Sequence, residues 1–326
     1  MKIAIDAMGG DLGPAPVVEA VLAVLAEDED LSRVVMVGDG ALIEPLLAAS
    51  DKSESLVSRI ELLHSATAIA MSEQPAQVLR QRRDSSMLAA LTRLADGGVD
   101  ACVSGGNSGA LVGLSRHFVG LHAGIKQLAI CAQLPTHSGA GYLLDVGANV
   151  DCSGEQLHQF ARMGTALVNA LGIAASCRCR ALSIGVEDGK GSAAVKRAAT
   201  LCEADSSLRF EGLIEGDRIL CGDAEVIFCD GFAGNIALKS CEGAAQYIRS
   251  LAATAKQVEG SVVGDGDWLA AVDPARYNGA YLLGLNRIVV KSHGGSDRAA
   301  CIAAINKAIA AVKGGFIEGL SAAMEV

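Results

Sequence analysis

One local pattern recurs along this chain of 326 residues: a short apolar run, a polar glycine-rich bend, then a helical stretch. Lys2-Ile3-Ala4-Ile5 leads into Asp6-Ala7-Met8-Gly9-Gly10-Asp11, and Asp100-Ala101-Cys102-Val103 into Ser104-Gly105-Gly106-Asn107-Ser108-Gly109. Ala181-Leu182-Ser183-Ile184 leads into Gly185-Val186-Glu187-Asp188-Gly189-Lys190-Gly191-Ser192. Val226-Ile227-Phe228-Cys229 and Asp230 lead into Gly231-Phe232-Ala233-Gly234-Asn235-Ile236-Ala237-Leu238-Lys239. Short buried strands separated by helices predict an α/β fold, a mostly parallel sheet with helices on both faces in an αβα sandwich. Ligands of such sheets sit beyond the carboxyl ends of the strands. All four elbows are therefore expected at one sheet edge, as one composite site. The first N–H groups of a helix lack intrahelical partners and its dipole favours negative charge, so the expected ligand bears phosphate.

Other runs extend the alternation. Val34–Val37 and Ile60–Leu63 read as strands, as do Ala129–Leu134 and Tyr142–Val146, which neighbour each other as a hairpin across His137-Ser138-Gly139. Pro14–Leu25, Ala41–Ala49, Gln156–Leu171 and Ser192–Cys202 carry helical spacing. In Ser85–Ala95, Met87, Leu88, Leu91 and Leu94 share one face, with Asp84 or Ser85 as N-cap and Gly97-Gly98 as the stop. No linker or internal repeat breaks the sequence, so residues 1–326 are read as a single domain. Residues 241–275 depart from the pattern: an Ala-rich stretch interrupted by Gly260 and Gly264-Asp265-Gly266 and holding the only tryptophan, Trp268. A projecting pair of helices with an apolar tip and an ordinary surface pair both fit it.

With 51% apolar but only 3% aromatic residues, the core must come from Ala, Val, Leu and Ile. A net charge of −10 argues against a nucleic-acid partner, which needs a basic surface. The ten cysteines are scattered, with Cys177 and Cys179 the one close pair, and read as reduced thiols packed as small hydrophobes rather than as a zinc site. The longest uncharged stretch, Gln127–Leu144, holds Pro135, His137 and several glycines and is no membrane span. A cytoplasmic protein, at most peripheral to the inner face of the membrane, is expected.

Several residues have the chemistry for a site. Lys190, between Gly189 and Gly191, presents an ammonium at an elbow, although the spacing is not that of a P-loop. Asn107 and Asn235 each follow an elbow glycine; such an amide either caps the turn or polarises a carbonyl. Asp6, Gly9 and Gly10, the run Ser104, Gly105, Gly106, Asn107 and Ser108, and Asp145 with Asn149 are the candidate phosphate and substrate cradle. Acids at strand ends also cap helices, so no metal is assigned. Of the six histidines, His293, after Arg287–Val290 and before a helix, is best placed for acid–base work. No Gly-x-Ser-x-Gly elbow or electropositive cysteine supports a covalent acyl-enzyme. Arg80, Arg82 and Arg83 offer a basic landing site for an acidic partner on an acidic chain, or merely a solvated face.

With these residues in view, the chain resembles the bacterial phosphate acyltransferase family of phospholipid synthesis. The matching motifs are Ile5–Asp11, Pro75-Ala76 through Arg83-Asp84-Ser85-Ser86-Met87, Leu144–Asn149, Asp230-Gly231-Phe232 with Gly234–Lys239, and Val289–Gly294. They span nearly the whole length in the same order, which makes the likeness specific. It departs in reading Ser104-Gly105-Gly106-Asn107-Ser108 where the family more often has Ser-Ala-Gly-Asn-Thr, and in Ser192 where Asn is common. The resemblance implies an isocitrate/isopropylmalate dehydrogenase-like fold, shared with phosphotransacetylases. It implies transfer of a long-chain acyl group from acyl carrier protein to inorganic phosphate, giving acyl phosphate, without a cofactor. It also implies a homodimer, and it places Lys190 and Asn235 at positions the family is thought to use in catalysis. The competing readings are a short-chain acyl-coenzyme A:phosphate transacylase, a nicotinamide-dependent dehydrogenase, for which no dinucleotide fingerprint is present, and a non-catalytic module that binds the carrier protein.

Overall fold

Side chains alternate from face to face along every strand of this chain, and that alternation sorts the apolar residues into separate cores. The computed structural model describes residues 1–81, 84–187, 189–256 and 268–325. Its strands are β1 (Lys2–Asp6), β2 (Arg33–Gly38), β3 (Ile60–His64), β4 (Ala101–Ser104), β5 (Ala129–Thr136), β6 (Gly139–Leu144), β7 (Arg178–Leu182), β8 (Arg209–Ile214), β9 (Val226–Phe228), β10 (Ala280–Leu283) and β11 (Ile288–Lys291). They form one 11-stranded sheet in the order β3-β2-β1-β4-β11-β10-β5-β6-β9-β7-β8. Ile3, Ile5, Val103, Cys131, Leu144, Phe228 and Val290 point to a face covered by the helices Ala15–Glu27, Gly154–Ala170, Ala193–Ala204 and Arg298–Lys313. Their neighbours point the other way into two smaller cores. Ala4, Cys102 and Val289 meet the helices Ser86–Ala95 and Ser108–Leu114; Ile130, Leu143 and Ile227 meet the start of the helix Gly231–Lys256.

Strand direction corrects the expectation of a single ligand edge. β1, β2, β3, β4 and β11 are mutually parallel, and so are β6, β9, β7 and β8. Between them β10 pairs antiparallel with both β11 and β5, and β5 antiparallel with β6. Three reversals leave the second set running against the first, so the elbows after β1 and β4 leave the sheet at the end opposite to those after β7 and β9. The predicted β5–β6 hairpin supplies one reversal. The other two come from β10, a four-residue strand absent from the sequence reading, as was β8.

Twist brings the two sets back together. A sheet turns by roughly 20–25° per strand, and five strand steps separate β4 from β9. The accumulated rotation of roughly 100–125° swings nominally opposed carboxyl ends toward each other over one face. Two side chains record the convergence: Val112, one turn into the helix Ser108–Leu114, and Ala148, in the elbow after β6, each pack on both smaller cores.

Local rules explain the helices. Ser85 rather than Asp84 caps Ser86–Ala95, its Oγ accepting from the Leu88 N–H at 3.3 Å, with Met87, Leu88, Leu91 and Leu94 buried as the spacing predicts. Ser153 and Gln156 form a reciprocal capping box on Gly154–Ala170. Seven of the ten cysteines are buried, used as small apolar side chains. In the segment 241–275 the described residues form the end of a 26-residue helix, Gly231–Lys256, which begins at the elbow itself, and the short helix Trp268–Ala271. The expected apolar tip lies outside the described residues. Among those described, no single helix is long and apolar enough to cross a membrane.

Candidate active site

The carboxyl ends of β1, β4 and β11 lie side by side and build a polar cradle. Asp6, at the end of β1, is 2% exposed. Its carboxylate accepts from Ser104 Oγ at 2.6 Å, Ser86 Oγ at 2.7 Å and the Met8 N–H at 3.3 Å. Burial pushes its pKa up, while the hydroxyls, the N–H and the Lys291 ammonium pull it back. Ser104 Oγ in turn accepts from the Gly106 N–H. Gly9 must be glycine: a Cβ there would stand 2.5 Å from the Gly106 nitrogen and 2.7 Å from Asp6 Oδ2. Asn107 proves to be a cap. Its Oδ1 accepts from the Ala110 N–H at 3.0 Å, and its Nδ2 donates to the carbonyls of Met71 at 2.9 Å and Glu73 at 3.0 Å. Ser108 follows it, exposed at the helix start, and Gly10 and Gly105 approach each other across the cradle.

Lys291 closes this cradle, and the sequence reading did not single it out. It ends β11 beside Ser104. Its ammonium donates to the carbonyls of Gly105 and Ser292. Among the described residues no carboxylate lies within ion-pair distance of it. Burial lowers its pKa to about 8, against the opposing pull of Asp11 and Asp6; the charge of Lys239, from the helix after β9, pushes the same way as burial. The signal was present in the sequence: a lysine terminating an otherwise apolar strand just before Ser-His-Gly.

The elbow after β6 is as fully bonded, around Asp145. That buried carboxylate collects five donors: the N–H groups of Ile130, Gly147, Ala148 and Asn149, and Asn149 Nδ2. Asn149 also donates to the Leu128 carbonyl at 2.8 Å. The helix after β9 presses directly on this elbow. The Gly231 N–H donates to the Asn149 carbonyl at 2.7 Å, and a Cβ on Gly231 or Gly234 would collide with Asp145 or Asn149. Asp230 caps that helix through the Ala233 N–H at 2.8 Å. One turn in, Asn235 is exposed, its Nδ2 donating to the Val146 carbonyl at 3.1 Å.

The remaining candidates face water. Lys190 sits on the loop after β7, which turns through Gly189 and Gly191, both at positive φ, and its side chain is exposed. His293 is exposed, its Nδ1 accepting weakly from the Gly295 N–H at 3.4 Å, while its backbone is part of the cradle. Arg80 is exposed in the last turn of the helix Pro75–Gln81; Arg82 and Arg83 lie outside the described residues. The arrangement is thus a half-buried cation in a cradle of glycine elbows, felt electrostatically by the helix after β9 that displays Asn235, with Lys190 on the separate loop after β7. Chemically it suits an anion on one side and a larger electrophile on the other.

Residues 1–319 match the family model described as "Fatty acid synthesis protein". A phosphate acyltransferase from Pseudomonas syringae pv. syringae (strain B728a) is 45% identical over 321 residues, covering 94% of this chain and 92% of that protein. The chain belongs to the phosphate acyltransferase family. Its fold is that of a phosphotransacetylase from Streptococcus pyogenes, with a TM-score of 0.66, 16% identity, and 98% and 94% of the two chains covered. A 4-hydroxythreonine-4-phosphate dehydrogenase from Salmonella typhimurium shares it at a TM-score of 0.55, 14% identity, and 95% and 99% coverage. The dehydrogenase-like architecture expected from the sequence is therefore present in this acyltransferase family member.

Proposed function

We propose that this chain transfers a long-chain acyl group from acyl carrier protein to inorganic phosphate, giving acyl phosphate for phospholipid synthesis and the free carrier. The observation that carries this reading is Lys291: a half-buried ammonium held by two carbonyls and unpaired with any described carboxylate, where three glycine elbows meet. A phosphate dianion supplies a directly bonded countercharge, beyond the more distant pull of Asp11 and Asp6. A phosphate oxygen attacks the thioester carbonyl carbon, the new C–O bond forms as the carbonyl oxygen takes up negative charge, and collapse breaks the C–S bond. The thiolate leaves with the carrier and takes up a proton. Lys190 orients phosphate from the exposed side, and the Asn235 amide, with a second N–H to give, meets the developing oxyanion. His293 shapes the phosphate elbow and stands within reach for proton transfer.

Several features support the larger assembly. Arg80, with Arg82 and Arg83, receives the acidic carrier on an otherwise acidic chain. Tyr247, Ile248 and Leu251 expose apolar surface on the outer half of the helix Gly231–Lys256, as does Phe232 near its start, which fits a homodimer contact. Residues 1–326 act as one domain, in the cytoplasm, with peripheral contact at the inner face of the membrane where a lipidic product is used.

The test is to incubate the purified chain with palmitoyl-acyl carrier protein, with and without inorganic phosphate, and to follow free carrier and acyl phosphate. Phosphate-dependent release with acyl phosphate formed is the expected result. Turnover of acyl-coenzyme A alone would favour the short-chain transacylase, and silence with both donors the binding module.

A further inference from the structure

The turn that carries His293 is held by a closed ring of hydrogen bonds whose hub, Asn278, lies outside every motif considered so far. Asn278 follows the short helix Pro274–Tyr277 and precedes β10. Its Oδ1 accepts from the His293 N–H at 2.9 Å. Its Nδ2 donates to Ser292 Oγ at 2.8 Å and to the Ala300 carbonyl at 2.7 Å, with Ser296 Oγ at 3.2 Å. Ser292 Oγ and Ser296 Oγ are 3.0 Å apart, and Ser296 Oγ donates to the His293 carbonyl at 2.6 Å. The protons can be placed without conflict. Asn278 gives one hydrogen to Ala300 and one to Ser292; Ser292 gives its own to Ser296, Ser296 to the His293 carbonyl, and the His293 N–H returns to Asn278. Both backbone groups of His293 are fixed, and the two serines, 4% and 8% exposed, have no water to turn to.

The hub is itself braced. Lys307, on the helix Arg298–Lys313, donates to the carbonyls of Tyr277 at 2.6 Å and Gly279 at 2.8 Å, gripping the peptides on either side of Asn278. Gly279, at φ +98°, lies so close to that helix that a Cβ would stand 2.9 Å from Ala304 Cα. On the far side, the turn feeds the cradle: the Gly294 carbonyl accepts from the Asp11 N–H at 2.7 Å, and the Ser292 carbonyl accepts from the Lys291 ammonium. One amide thus connects a braced loop to the residues that face the anion.

We propose that Asn278 is a positioning residue for phosphate. It sets the place of Lys291, His293 and Gly294 through Ser292 and Ser296 without touching the substrate, and leaves the carrier-protein side of the site unaffected. The proposal rests on the phosphate-acyltransferase reading above for its kinetic arm only. Asn278→Asp is the sharp substitution, because it keeps the acceptor for His293 but turns a second oxygen toward the Ala300 carbonyl.

The experiment compares the intact chain with Asn278→Ala, Asn278→Asp and Ser296→Ala. Inorganic phosphate is titrated against each protein alone by thermal shift, and KM is measured separately for phosphate and for acyl carrier protein substrate. Asn278→Ala and Asn278→Asp are expected to weaken phosphate, in affinity and in KM, by about tenfold, with the carrier KM held within about twofold. Ser296→Ala should move phosphate the same way by about threefold. A double Asn278→Ala/Ser296→Ala variant should be no worse than Asn278→Ala. Unchanged phosphate affinity would overturn the proposal, as would equal loss of both KM values. If Asn278→Ala does not fold, the near-isosteric Asp variant and Ser296→Ala decide by the same criteria. Wild-type chain that binds phosphate yet forms no acyl phosphate would defeat the activity reading alone, because the binding titration still ranks the variants.

Discussion

The elbows after β1, β4 and β11 and those after β6, β9 and β7 are built from the same residue types and solve opposite problems. In the first set the polar side chains are spent on one another. Asp6 takes two hydroxyls, Asn107 caps a helix and pins a loop, and one half-buried ammonium, Lys291, is left without a bonded carboxylate among the described residues. In the second set the frame is just as tight around Asp145, but the side chains it displays, Lys190, Phe232, Asn235 and Ile236, face solvent. A small anion of fixed shape would be served by a rigid, half-buried cradle, where each donor is worth more than in water. A substrate delivered by another protein needs an open side on which it can land. On the proposed reading, the difference between the two sets is a division of labour, and it can be broken by substitution.

Lys291→Met should have the largest effect. Removing the cradle's cation is expected to lower kcat/KM for phosphate by roughly a thousandfold. Thermal stability should fall only modestly, through the lost bonds to the Gly105 and Ser292 carbonyls and the lost charge beside Asp6. Lys190→Ala, on the open side, should lower kcat by roughly a hundredfold with no change in Tm; intact turnover would remove Lys190 from the mechanism. Gly9→Ala forces a Cβ against the Gly106 backbone and should cost about 1–3 kcal/mol in denaturant unfolding, together with weaker phosphate binding.

A pH effect comes next. Burial places the Lys291 pKa at about 8, so the cation is present below that pH and is lost as pH rises through it. kcat/KM for phosphate should fall about tenfold per pH unit above this point, and Lys291→Met should abolish that limb. Asn107→Ala should be the mildest, costing about 1 kcal/mol of stability through the lost cap and leaving chemistry nearly intact. A large kcat loss there with unchanged stability would move Asn107 from frame to chemistry.

Local chemistry was legible in the sequence and long-range direction was not. Ser85 announces a helix start because a cap needs only residues three apart. Each elbow is visible for the same reason, since glycine and aspartate at a strand end act locally. Whether two elbows point the same way depends on every strand between them. Here that turned on β10, whose four residues lie between Gly279 and Gly284 and carry no turn signal of their direction. Twist then undid much of the difference, an effect no local pattern encodes. Asn107 and Asn235 look alike in sequence, each after an elbow glycine. The first is consumed by Ala110, Met71 and Glu73, whereas the second keeps an exposed amide with one bond to Val146. Lys291 was hidden by its neighbour, because a histidine draws attention in an acid–base search while a strand-ending lysine reads as a boundary.

The most direct test of the division between the two sets is to locate the anion. Crystals soaked in phosphate, or in arsenate for its anomalous signal, should show the oxyanion within hydrogen-bond distance of the Lys291 ammonium, among the elbows after β1, β4 and β11. An oxyanion held by Lys190 on the open side, with the Lys291 cradle empty at saturating concentration, would contradict the assignment of phosphate to the buried set.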